Sequence, residues 1–182
     1  MKPRVWTTLL VLFVLLAFAL IGRTFLPVPF LPSVCWELLL ALCIYYAMRR
    51  EAVFSGIAAF CCGILEEGLC LLPSGFAMLF FLGSALLCHN MLRPQMNESC
   101  FSCAIVGAAV FPVWTLFEYI VLRLFTDFTP LPFFFVLGRI ALAIPLGFVA
   151  AGLTALVSHR LDWISANVDL DNDDRFGYDF SD

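Results

Sequence analysis

Gly63-Ile-Leu-Glu-Glu-Gly-Leu-Cys-Leu-Leu-Pro-Ser-Gly75 sets two adjacent carboxylates, Glu66 and Glu67, inside a run of apolar and small residues that begins at Ala52. Pro73-Ser74 breaks the run, and Gly75 opens another that continues to Leu92. Proline cannot continue a helix, and so short a link leaves room only for a bend. The flanking segments are therefore expected to form a tight antiparallel helical hairpin, with its bend at the outer surface.

The solvent around that hairpin follows from composition. Of 182 residues, 63% are hydrophobic and 13% charged, and the mean hydropathy is +0.99. Soluble domains hold roughly 45–50% apolar and about 25% charged residues. One small core cannot hide this excess, so the chain reads as an all-α integral membrane protein. A helix needs about 20 apolar residues to cross a hydrocarbon layer of about 30 Å. Six segments are expected to cross: 5–22, 34–48, 52–72, 75–92, 100–125 and 131–158. Residues 1–161 form one bundle, because nothing in the chain is long enough for a separate soluble domain. Residues 162–182 form an acidic tail, with Asp169, Asp171, Asp173, Asp174, Asp179 and Asp182 against the single cation Arg175. Its polarity fits a disordered or partner-docking cytoplasmic segment.

The basic start Lys2–Arg4, the apolar run and Ala17-Phe-Ala19 mimic a signal peptide. The run continues to Ile21, long enough to span, so it is read as a retained helix. Orientation follows the distribution of Lys and Arg near the helix ends. With the N-terminus inside, Lys2, Arg4, Arg49, Arg50, Arg93 and Arg160 lie on inner rims, and Arg23 and Arg123 on outer ones. Both termini are thus expected in the cytoplasm.

Helices in lipid associate through small residues that let backbones approach. Ser55, Ala59 and Gly63, with Gly56 as an echo, mark such a face on the third segment; Ala143, Gly147, Ala151 and Ala155 mark one on the sixth. These faces are expected to meet protein, whether in the same bundle, a partner or a second copy in a homodimer. Most of the eight cysteines sit in apolar runs as small hydrophobes, and the single Cys100–Cys103 CxxC lacks a second ligand pair for zinc.

Charges in mid-membrane cost roughly 2.5–3.5 kcal/mol on insertion scales, so each needs a reason. Counting from the helix ends places Glu37, Glu66, Glu67, Glu118, Arg123 and Arg139 in the outer half. Glu37 falls three residues inside the second helix. Glu118 and Arg139 share a depth on sequential antiparallel helices, which allows an intramembrane ion pair. Glu66, Glu67 and Glu37 lack enough cations; they must be protonated, wet or in contact with a partner. A glutamic intramembrane protease needs EExxxR and a later FxxxH. Here Leu71 stands at the arginine position, and Ala85 and Ala155 stand four before His89 and His159. Ser84 and His89 lack a GxS context, and no nucleotide loop is present. The chain is read as a non-enzyme without catalytic, cofactor-binding or metal-binding residues.

The centre of the chain resembles the MreD family of rod-shape membrane proteins. That family's pattern runs P-D-L, a helix ending in a basic pair or glycine, then G…GLLLD and PLG. This chain offers Pro32-Ser-Val, Met48-Arg49-Arg50, Gly56, Gly63-Ile-Leu-Glu-Glu67 and Pro73-Ser-Gly75. The glycine-to-acid spacing of four, acid-to-proline of six and acid-to-glycine of eight all agree. Glu67 replaces the usual Asp, Ser74 the usual Leu, and Glu37 stands in for a displaced acid. The match covers residues 32–92; elsewhere only the hydropathy agrees.

The resemblance implies a fold similar to the S-components of energy-coupling-factor transporters and a place in the bacterial inner (cytoplasmic) membrane. It implies a scaffold that binds MreC and, through it, RodA and a class B penicillin-binding protein, supporting peptidoglycan synthesis and cell shape. It implies no cofactor. At the family's acidic position stands Glu67, whereas Glu66 has no counterpart and is expected to face water. Partner-contacting or structural roles are expected of Glu67, Glu66, Gly63, Gly56, Pro73, Gly75 and Glu37. The alternative is a vitamin-binding S-component itself. Against it, Ile21 stands four residues after Ala17 and Arg23 four after Ala19, so the first helix lacks that family's small-residue docking face.

Overall fold

The computed structural model describes residues 3–25, 37–70, 72–94, 99–125 and 132–164, and every regular element among them is helical. The helices are α1 (Pro3–Phe25), α2 (Leu38–Arg49), α3 (Ala52–Cys70), α4 (Phe76–Leu87), α5 (Cys100–Phe125) and α6 (Phe133–Ile164). A π-helical turn, Cys88–Leu92, ends α4. The proline-rich links 26–32 and 129–131 and the tail from 165 onward lie outside the described residues.

Helix ends follow local chemistry. Ser99 caps α5, its Oγ accepting a hydrogen bond from the Ser102 N–H at 3.1 Å, the preferred N-terminal arrangement for serine. Gly75 takes a left-handed φ of 98° to turn into α4, a conformation that costs glycine nothing. Helices α5 and α6 continue through Pro112 and Pro145, which membrane helices tolerate. Two shifted boundaries move charged residues from their expected places. Glu37 sits at the N-cap of α2, not three residues inside it. Helix α6 continues past Ser158 to Ile164, carrying Asp162 out of the expected tail and into the bundle.

α2 is the centre. It touches each of the other five helices, and Leu39 through Met48 are buried on every side, none more than 1% exposed. A helix apolar all round is one that is enclosed. Around it, α3 pairs with α4, and α5 pairs with α6 most extensively of all. The small-residue faces lie at these joints. A Cβ on Gly63 would come within 2.6 Å of Met78 Cα on α4, and one on Gly147 within 2.6 Å of the Gly107 carbonyl on α5. Ser55, Ala59, Ala143, Ala151 and Ala155 are buried too. Gly56 departs from the expectation: nothing lies within 4 Å of where its Cβ would be, so it mediates no close approach. Rings from α4 and α5 interlock, Trp114 lying 4.9 Å from Phe80 and 5.4 Å from Phe81 between centroids.

The outside is as apolar as the inside. Phe13 on α1, Val53 and Phe60 on α3, Leu79 on α4, Leu124 on α5 and Phe134 on α6 all stand exposed, a surface that water does not tolerate over such an area. Three helices, spanning Ala52–Leu69, Cys100–Phe125 and Phe133–Trp163, are long and apolar enough to cross a membrane; α1, α2 and α4 contribute shorter apolar stretches. These features mark an all-helical membrane protein.

Candidate functional site

The residues of the opening stretch converge on one hairpin. Gly63 and Glu67 are one turn apart and share a face of α3. Gly63 lets the α4 backbone approach at Met78. Glu67 then reaches across, its Oε1 accepting hydrogen bonds from the Gly75 N–H at 2.7 Å and the Met78 N–H at 3.1 Å. The first N–H groups of a helix have no partner within it, and its N-terminus favours negative charge. Gly75 has no side chain with which to cap α4, so Glu67 performs that role from the preceding helix. The turn closes with the Phe76 N–H donating to the Pro73 carbonyl at 3.4 Å. The eight-residue interval from Glu67 to Gly75 is thus the length of chain spanned by one hydrogen bond.

The neighbouring carboxylate has a different fate. Glu66, expected to face water, is fully buried. A step of one residue turns a helix by about 100°, which separates the adjacent acids into an inter-helix cap and a core group. Glu118 and Arg139 face each other across α5 and α6, with 4.0 Å between Oε2 and Nη2. That is the outer limit of ionic contact, and both side chains are partly exposed. No group of three metal-ligating side chains gathers among the described residues. Cys100 and Cys103 are both free thiols.

A second polar centre lies at the opposite end of the bundle. Asp162, near the end of α6, is buried, with Oδ1 2.7 Å from Arg50 Nη2 and Oδ2 accepting a hydrogen bond from the Tyr45 hydroxyl at 2.6 Å. Arg50 follows the last residue of α2, and its carbonyl accepts from Arg93 Nη1 at 2.9 Å. His89 Nδ1 lies 3.2 Å from the Ala47 carbonyl. One carboxylate and two arginines therefore tie together the ends of α2, α4 and α6. Arg50 and Arg93 are legible in sequence only as rim cations. Asp162 carries one faint signal, its place seven residues past Ala155, the last of the small residues recurring every four along the sixth segment.

Neither centre forms a catalytic constellation. The first is a carboxylate committed to backbone N–H groups and the second an ion pair committed to helix ends. Both are joints. No family model, curated protein or solved structure matches the chain.

Proposed function

We propose that this chain is a non-enzymatic, multi-pass scaffold subunit of MreD type in the bacterial cytoplasmic membrane. In this reading all six helices cross the bilayer, both termini are cytoplasmic, and the bundle binds an MreC-like protein. Through it the scaffold supports RodA, a class B penicillin-binding protein and peptidoglycan synthesis during elongation. One observation carries the reading: the spaced residues that resemble the family's centre, Gly63, Glu67, Pro73 and Gly75, meet in a single structural joint. A motif whose acid holds a helix end suits a scaffold, because it fixes a surface and leaves no group free for chemistry.

The test is co-purification of the tagged chain, expressed with its chromosomal neighbours. A stoichiometric coiled-coil protein with one membrane helix is the expected companion, and Glu67→Leu should weaken its recovery. Recovery of the chain alone would overturn the partner assignment. A small molecule at one-to-one stoichiometry, detected by mass spectrometry of the purified protein, would transfer the chain to the vitamin-binding S-component class.

A further inference from the structure

Helices α1 and α6 touch only lightly, and between them runs an open groove of about 500 Å³ lined by Val14, Phe18, Leu156, Val157, Arg160 and Leu161. Val14, Phe18, Leu156 and Val157 are each about half exposed, so its apolar walls face outward. The only charge on the lining is Arg160, which is exposed and makes no ion pair among the described residues. Other cations at this end, Arg50 and Arg93, are tied into the bundle.

We infer that this groove holds an anionic phospholipid, one acyl chain against Val14, Phe18, Leu156 and Val157 and the phosphate against the Arg160 guanidinium. In a membrane protein an open apolar groove is filled by hydrocarbon, so the chain-binding half follows from the embedding described above. The selectivity follows from charge. Arg160 stands one turn from the C-terminus of α6, where a long side chain reaches the headgroup layer while its methylenes lie along apolar surface. A guanidinium there pairs with a phosphate oxygen in a forked geometry that an ammonium lacks. The inference rests on membrane embedding alone and does not require the scaffold's protein partner.

Full-length protein reconstituted in phosphatidylcholine vesicles doped with phosphatidylglycerol provides the assay, with native mass spectrometry of the extracted protein counting retained lipids. Wild type should retain phosphatidylglycerol in preference to phosphatidylcholine. Arg160→Gln should lower that preference about fivefold, the effect of roughly 1 kcal/mol per juxtamembrane cation. Val157→Trp, which fills the groove, should lower retention of both lipids. Arg123→Gln removes an exposed cation at the end of α5, away from the groove, and should change nothing. An unchanged preference in Arg160→Gln, or an equal fall in Arg123→Gln, would overturn the site in favour of diffuse surface charge. Loss of retained lipid in Val157→Trp with normal helicity by circular dichroism excludes misfolding. Failure of the wild type to float with vesicles would instead defeat the membrane reading.

Discussion

At the scale of single residues, the chain separates two adjacent glutamates by what each can reach. Glu67 faces the next helix and accepts two backbone N–H groups, whereas Glu66 turns into the core. Removing a cap costs about 0.5–2 kcal/mol, and hydrogen bonds to charged acceptors are worth about 1.5–3 kcal/mol. Glu67→Leu should therefore destabilise the bundle by about 1–2 kcal/mol. Glu67→Gln, which keeps a carbonyl acceptor but loses the charge, should recover about half. Thermal or denaturant unfolding in detergent checks the series. Equal stability of Leu and Gln variants would show that the acceptor contributes nothing. The close approach at Gly63 sets a matching constraint: a methyl there meets α4 backbone at Met78 and not a movable side-chain tip.

At the scale of helices, the run of α3, the break at Pro73-Ser74 and the small-residue faces were readable because each depends on chain-local chemistry: apolar length, a missing N–H, and side-chain size. The spacing of Glu67 and Gly75 was readable, but the bond between them was not, because it depends on how closely α3 and α4 pack. Glu66 and Gly56 were not readable, for one physical reason. In lipid, apolar residues serve both the outside and the inside, so periodicity does not mark which face of a helix is buried. A water-exposed reading of Glu66 was as consistent with the pattern as a buried one, and Gly56 repeats Gly63 at seven residues while meeting no neighbour. Asp162 was obscured for another reason: it precedes a tail rich in aspartate, and its contacts with Tyr45 and Arg50 are what set it apart. Those contacts supply the helix-scale prediction. Removing one partner of a buried ion pair typically costs about 3–5 kcal/mol because the other charge is stranded. Asp162→Ala should approach that loss, since the carboxylate holds Arg50 and the Tyr45 hydroxyl together. The double variant Asp162→Ala with Arg50→Met should cost less than the two single losses summed, by about 1–3 kcal/mol in a double-mutant cycle. Simple additivity would mean that the α2 and α6 ends are held by other contacts.

At the scale of the whole molecule, the arrangement is a short helix enclosed by the other five. The 12 residues of α2 extend about 18 Å at 1.5 Å per residue, less than the roughly 30 Å of a hydrocarbon core. It is shielded along its length by protein, with every other helix in contact and its ten residues from Leu39 to Met48 all but inaccessible. Its backbone can open only if the surrounding helices part, whereas α1 presents Phe13, Val14, Phe18 and Ile21 outward and leans on α2 with its other face. Local opening free energies rise with the number of buried contacts that must break. In detergent micelles, hydrogen–deuterium exchange should therefore be slowest across residues 39–48 and should accelerate there only under conditions that unfold the whole bundle. Residues 7–22 of α1 should exchange earlier, through detachment of that helix alone. Asp162→Ala provides the internal control, because loosening the α2–α6 joint should raise exchange near Tyr45 and Tyr46 before it reaches Leu39. Equal rates for α1 and α2 in the wild type would mean that the bundle opens as a single unit, and a central helix would then confer no hierarchy of stability.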